Sequence, residues 1–427
     1  MKITIHRGTN QIGGCITEIE SDGYKVFIDF GEQLPGSESE KLPLIEGLTK
    51  GDVSKSILLI THYHGDHVGK ISETISDLPI YMGKTALEIY RHFETRMSYI
   101  RDISIADKHH KNLERAVTIN TFEALQLIKI GGITITPLFV DHSAFDAYMF
   151  IIEANGKRVL HTGDFRGHGF RSKGLLPTLR AYASNIGYLI TEGTNISSTN
   201  ATLLSEFDLK NYFTEHFRKY KYNFVLVSST NIDRIFALYH STKTVKRCFV
   251  CDDYQKRILK IVSNNHKKQS AFYDIDYENT DTPDGRIITL NRNNEEYFSF
   301  ERNLKPYLER HGFCMLIRTN VAFKPLLEKY INLAETKIYY SMWDGYLDNS
   351  SQAFNETLYS FLETYGDIKH LHSSGHTDLK TLREVFEIVK PKRGIIPIHT
   401  ENPEKFQTLY DKQTIILLED GETLEYV

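Results

Sequence analysis

Cysteine is scarce in this chain, with four in 427 residues. So few cannot make a disulfide framework, and the count points to a reducing cytoplasm. Cys248 and Cys251 form a C-x-x-C, but Arg247-Cys248-Phe249-Val250-Cys251 reads as a strand. Without a second pair or nearby histidines, buried thiols are a simpler reading than a redox or zinc site. No apolar run approaches membrane-spanning length, so no membrane partner is expected. The start, Met1-Lys2-Ile3-Thr4-Ile5-His6, alternates as a strand does and is unlike a signal peptide. Neither sign of charge dominates: 51 Lys and Arg stand against 55 Asp and Glu, a formal charge of −4. That balance gives no global attraction for nucleic acid, so any such binding needs a local basic surface. Repeats and low-complexity segments are missing as well.

What remains is a globular composition, 41% hydrophobic and 25% charged, in a chain too long for one ordinary core. Two domains, or one with a large insertion, are expected. The chain is organised around Thr61-His62-Tyr63-His64-Gly65-Asp66-His67, which follows the apolar run Ser56-Ile57-Leu58-Leu59-Ile60. Such a run predicts a buried strand. His62 and His64, two apart in extended chain, send their rings to one side. Asp66 and His67 follow where the chain turns towards a helix. Imidazole and carboxylate suit zinc, manganese or iron, and four ligands exceed what one open catalytic ion takes from one loop. Two metals side by side are implied; a histidine-rich surface turn is the bland alternative.

Residues 1 to about 30 read as short strands broken at Gly13-Gly14 and Asp22-Gly23, ending in Val26-Phe27-Ile28-Asp29-Phe30. Residues 31–54 read as loop. One helix is expected from Thr85 to about Ile103, and Lys108-His109-His110-Lys111 as a solvated loop. Strand follows strand from Leu125 to Phe165, with a hairpin at Asn155-Gly156. Residues 222–330 alternate strand and helix, the rhythm of a parallel sheet with crossover helices. The last 60 residues return to polar clusters at strand ends, including Ser373-Ser374-Gly375-His376 and Ile396-Pro397-Ile398-His399. An inserted α/β domain interrupting a metal-site domain explains this order.

Further ligands stand at other strand ends: His142, Asp164 and His399. One metal could take His62, His64 and His142, the other Asp66, His67 and His399, with Asp164 bridging. A pair of this kind, roughly 3.5–4 Å apart, activates water and clamps the oxygens of an in-line displacement. Hydrolysis at a phosphoryl or carbonyl centre follows.

His62-x-His64-x-Asp66-His67, His142 and Asp164 resemble the metallo-β-lactamase superfamily in order and placement. Glu192 in Thr191-Glu192-Gly193-Thr194, His376 and His399 resemble motifs A, B and C of its nucleic-acid-processing β-CASP family, with the ribonuclease J group nearest. The resemblance implies an αββα sandwich formed by residues 1–195 and 366–427, with an inserted α/β β-CASP domain at 196–365. It implies a cytoplasmic, metal-dependent exo- or endoribonuclease of RNA processing or decay, holding two divalent ions, zinc or manganese. His376 would act as general acid with Glu192 orienting it, and Asp66 would ligate metal and help position the attacking hydroxide. A histidine at motif C tilts the substrate to single-stranded RNA rather than DNA. No membrane partner is implied, and a homodimer is an assembly it admits. The C-terminal domain common in ribonuclease J is expected to be absent, because the chain ends at Val427.

Within the insertion, Ser228, Ser229 and Arg234 sit between a predicted strand and helix, where hydroxyls and backbone N–H groups suit phosphate. A plain helix cap is the alternative there. Ser374 joins them as a phosphate contact. A basic cleft between the domains would have Arg166, Arg171, Lys173 and Arg234 on its rim. Trp343 and Tyr346 could stack on bases or pack in a core. Rival functions are a hydrolase of DNA, and a hydrolase of a small-molecule ester, the second of which the insertion with Glu192 and His376 argues against. A non-catalytic subunit of a processing complex is a third reading, weakened because every expected ligand is present.

Overall fold

The computed structural model describes residues 1–34, 43–198, 203–266, 270–275, 286–293, 297–301, 303–351 and 353–427. The loop expected at 31–54 therefore lies, at 35–42, outside the described residues. The chain forms two compact units, Met1–Leu203 with Gly375–Val427, and Leu204–Ser374.

In the first unit two sheets face each other. One has seven strands in the order Glu422–Glu425, Lys2–Arg7, Ile16–Ser21, Tyr24–Ile28, Ser56–Leu59, Ile80–Gly83 and Asn120–Phe122. The other has six: Gly394–Ile398, Tyr188–Glu192, Lys157–His161, Ala147–Ala154, Ile133–Val140 and Ile128–Ile130. Ile3, Ile5, Ile19, Val26, Phe150, Ile152, Ile190 and Ile396 fill the layer between them. A further apolar layer joins Leu160, Leu189 and Ile395 to the helices Leu175–Tyr182 and Leu379–Val389 on the outer face of the second sheet. This is an αββα sandwich. The hairpin read at Asn155-Gly156 and the strand break read at Asp22-Gly23 both turn on residues of positive φ, Asn155 at 51° with Gly156 at 71°, and Asp22 at 53° with Gly23 at 75°. Two such residues in succession give the twist that a two-residue hairpin needs.

Two expectations fail here. The helix from Thr85 to Ile103 is two helices, Lys84–Met97 and Ile103–Ala116. Asp102 interrupts it, because its carboxylate accepts from the backbone N–H of Ser104 and Ile105 and starts a new helix. Lys108–Lys111 is helical and not a loop. His109 is buried there, its Nδ1 2.7 Å from Glu94 Oε2 on the preceding helix.

The second unit has one six-stranded sheet, Ile287–Thr289, Cys248–Cys251, Phe313–Ile317, Tyr222–Val227, Thr336–Ser341 and Ile368–His370, with every pairing parallel. Cys248 and Cys251 are buried thiols in a strand. Trp343 is half exposed on the turn after Thr336–Ser341, its ring edge-on to Tyr346 with centroids 5.4 Å apart. Among the described residues no helix is long and apolar enough to cross a membrane.

Arg234 cannot serve as the expected phosphate contact or cleft-rim cation. It is fully buried, with its Nε and Nη2 donating to Glu206 at 2.9 and 3.0 Å and its Nη1 to Ser341 and the Leu371 carbonyl. The fork is spent tying a helix start to two strand ends. Asn231 caps the Ile232–Thr244 helix, its side chain accepting from the Arg234 N–H at 3.2 Å. Ser229 is buried against Gln255, whereas Ser228 is exposed and Ser374 half-buried. Glu206→Ala should leave a buried unpaired cation and cost about 3–5 kcal/mol. Chemical denaturation followed by Trp343, the chain's one tryptophan, reads this unit directly. A midpoint unchanged from wild type would contradict the assignment.

Candidate metal centre

The strand Ser56–Leu59 is buried throughout, and it delivers His62, His64, Asp66 and His67 into a turn and the short helix Gly65–Val68. Three glycines permit the tight approach of neighbouring chain. The Gly14 N–H donates to the Asp66 carbonyl at 3.0 Å, and a Cβ on Gly31 would overlap that same carbonyl. Gly13 has φ 78° and packs against the Asp66 side chain.

Around this turn the structure brings together all seven candidate ligands. His62, His64 and His142 form one group of converging atoms, and Asp66, His67, Asp164 and His399 form another. His142 Nε2 is 3.3 Å from His64 Nδ1. Asp164 Oδ2 lies between the groups, 3.1 Å from His67 Nε2, 3.7 Å from His399 Nε2 and 3.9 Å from His62 Nε2. Asp66 Oδ2 is 3.3 Å from His399 Nε2 and 3.6 Å from His67 Nε2. A third group adds Glu192 and His376: His376 Nδ1 is 3.2 Å from Glu192 Oε2 and 3.6 Å from Asp164 Oδ2.

Three of the imidazoles, His67, His62 and His142, are turned by a partner on the outer nitrogen. His67 Nδ1 meets Asp29 Oδ2 at 2.8 Å. His62 Nδ1 meets the Thr61 hydroxyl at 3.0 Å, and that hydroxyl donates to Asp29 at 2.8 Å. His142 Nδ1 donates to the Gly375 carbonyl at 2.7 Å. Such partners fix the tautomer and leave the other nitrogen's lone pair aimed inward. The inner Nε2 atoms of His62 and His67 are buried with no hydrogen-bond partner. His67 Nε2 also stands 3.1 Å from Asp164 Oδ2, an ion pair when the ring is charged. Buried polar atoms left this way normally cost 1–3 kcal/mol each; a pair of divalent cations would satisfy them. The donor set fits metal.

Residues 43–189 match the beta-lactamase superfamily domain. The chain carries a metallo-β-lactamase domain. The matched stretch contains six of the seven candidate ligands; Glu192, His376 and His399 lie beyond it. Ribonuclease J of Helicobacter pylori is 22% identical, aligning with all of this chain and 60% of its own length. This chain thus spans under two thirds of that relative. Cleavage and polyadenylation specificity factor subunit 3 of Dictyostelium discoideum is 24% identical over 39% of this chain and 22% of its own. A protein of unknown function from Enterococcus faecalis shares the fold, with a TM-score of 0.75, 19% identity and 99% of each chain covered.

Three further polar residues of the first unit escaped the sequence reading: Asp29, Thr61 and Thr194. Asp29 does stand at a strand end, and like His399 it holds a positive φ, 61° against 51°. Strain of that kind concentrates at functional sites. Arg166 and Arg171, expected on a cleft rim, instead pair with buried Asp141, and Arg171 also donates to the carbonyls of His142 and Ala144 at 2.6 and 3.0 Å. They brace the His142 turn; Lys173 is exposed.

Electrostatics divide the two groups. Burial and the neighbouring imidazoles keep His62 and His142 well below the ordinary histidine pKa. Burial, partly offset by Asp66, brings His64 down to about 4. Burial also opposes the charged form of His67, but Asp164, Asp66 and Asp29 outweigh it and hold its pKa well above the ordinary value. A proton on His67 therefore competes with an incoming cation, whereas burial favours the neutral forms of His62, His64 and His142. Affinity at the Asp66, His67, Asp164 and His399 group should rise about tenfold per pH unit near neutrality, with about one proton released. The three-histidine group should show little dependence. Calorimetry of the metal-free protein in buffers of different ionisation enthalpy checks this, and equal proton release at both sites would contradict it.

Proposed function

We propose that the protein is a metal-dependent phosphodiesterase acting on single-stranded RNA, in the manner its ribonuclease relatives' names suggest. The observation that carries this reading is His376, held by Glu192 at 3.2 Å beside the Asp164 carboxylate that joins both ligand groups. A hydrolase of a carbonyl substrate with a good leaving group has little use for a second imidazole so placed. A phosphodiester whose leaving group is a ribose alkoxide does, because the departing oxygen must be protonated.

His62, His64, His142, Asp66, His67, His399 and the shared Asp164 would hold two cations, zinc or manganese. Bound there, the ions supply Lewis-acid activation of water and neutralise charge at the phosphoryl group. The chain's own residues do the rest. Glu192 accepts from His376 Nδ1, which leaves Nε2–H to reach the leaving oxygen. Burial disfavours the His376 cation, yet Glu192 and Asp164 outweigh it and hold its pKa up to about 9. The ring is then an acid at neutral pH and loses that capacity as pH rises through about 9. The Glu192 carboxylate is itself buried and fixed by the N–H groups of Phe165, Thr194 and Thr377 at 3.2 Å each.

His376→Ala should slow RNA cleavage by ~10²–10⁴-fold with both metals retained. On a nitrophenyl phosphodiester, which needs little protonation, the same variant should lose far less. His64→Ala should lose metal and fail on both substrates. Glu192→Gln should fall between and shift the alkaline limb of kcat/KM to lower pH. Equal losses of His376→Ala on both substrates would remove the general-acid role. RNA labelled at either end gives polarity, and an RNA left intact while single-stranded DNA or an ester is hydrolysed would overturn the substrate.

A further inference from the structure

One hydroxyl touches both histidines that the β-CASP motifs contribute. Thr194 Oγ1 lies 2.8 Å from His399 Nδ1, 3.2 Å from His376 Nδ1 and 3.3 Å from the His399 carbonyl. The two rings are stacked, with centroids 5.3 Å apart and planes within 27°. Thr194 is itself fixed: its N–H donates to Glu192 Oε2 at 3.2 Å, and Asn195 next to it donates to the carbonyls of His376 and Thr377 at 3.2 and 3.0 Å.

The bonding follows from counting protons. His399 Nε2 faces Asp66 and Asp164, so a lone pair is available inward only when the proton is on Nδ1. That proton can go to Thr194 Oγ1. His376 places its Nδ1 proton between Glu192 Oε2 and the same hydroxyl, both at 3.2 Å. A hydroxyl has two acceptor lone pairs and one proton. Accepting from both rings and donating to the His399 carbonyl uses all three. A threonine or serine hydroxyl meets all three demands in this space; valine has the shape and none of the bonds.

We infer that Thr194 is a positioning residue shared by the metal ligand His399 and the acid His376, fixing the tautomer of one and the ring orientation of the other. The inference rests on the hydrolase reading for His376 but not for His399, whose presentation to a cation can be measured without any substrate. It also separates Thr194 from Glu192: the Glu192 carboxylate pairs with the acid, whereas the Thr194 hydroxyl contacts acid and ligand together.

The test compares Thr194→Val, Thr194→Ala and Thr194→Ser by zinc and manganese titration of the metal-free full chain, then by turnover at saturating metal. Loss of an outer partner to a ligating histidine typically costs 10–100-fold in affinity. Thr194→Val and Thr194→Ala should lose that much at the site containing His399 and leave the three-histidine site unchanged. With metal restored, kcat on RNA should remain depressed while KM moves little, and Thr194→Ser should recover both properties. Glu192→Gln should lower kcat without the change in affinity. Wild-type affinity in the valine and alanine variants would overturn the inference. So would a serine variant as impaired as valine, because packing of the methyl would then be the cause. If only valine were impaired, a clash would explain it and the shared role would again be lost. Should wild type prove inactive on RNA, the affinity comparison still decides the role at His399.

Discussion

A single buried carboxylate, Asp164, stands between 3.1 and 3.9 Å from ring nitrogens of His62, His67, His376 and His399. Four imidazoles cannot gather in a volume closed to water unless something answers their dipoles and charges. Asp164 does this, and Asp66 assists, but the inner Nε2 of His62 is still left without a hydrogen-bond partner. The site is built as a cage whose interior polar atoms wait for positive charge. His67 substitutes for that charge by holding a proton in the metal-free protein.

The fold meets this constraint by bringing strand ends to one edge of the sandwich. Ser56–Leu59 leads to the four-ligand turn, Tyr24–Ile28 to Asp29, Lys157–His161 to Asp164, Tyr188–Glu192 to Thr194, and Gly394–Ile398 to His399. In parallel sheets the carboxyl ends of strands are where ligands gather, because loops there can vary without disturbing the ladder. Gly394–Ile398 pairs in parallel with Tyr188–Glu192, so chain separated by the whole second unit returns to the same edge. An insertion between these strands adds a unit without moving the site. The outer partners then decide chemistry. Asp29 and Thr61 aim lone pairs, the Gly375 carbonyl aims another, and Glu192 and Thr194 hold a ring in a different role from the same pool of side chains.

The convergence of the candidate ligands was legible in the sequence because side chains that gather at strand ends obey spacing rules. His62-x-His64-x-Asp66-His67 needs only the pleat of one strand and its turn, and His142, Asp164 and His399 each follow an apolar run. What stayed hidden depends on contacts that spacing does not encode. Asp29 and Thr194 resemble ordinary polar strand ends until the fold sets them against an imidazole. Arg234 looked like a phosphate contact because its segment opens a helix; buried Glu206, 28 residues earlier, claims the guanidinium. Lys108–Lys111 looked solvated because its charges are dense, but one residue of four, His109, faces inward to Glu94. Local composition sees the three outward residues and misses the fourth.

Seven side chains converge here with the geometry of a cage for two divalent ions, Asp164 between them. Anomalous diffraction from crystals of the full chain, recorded at the zinc and manganese edges after metal loading, tests it without reference to any substrate. Two peaks per chain are expected, roughly 3.5–4 Å apart, one against His62, His64 and His142 and the other against Asp66, His67 and His399, with Asp164 touching both. A single peak, or two peaks with Asp164 turned away from them, would contradict it.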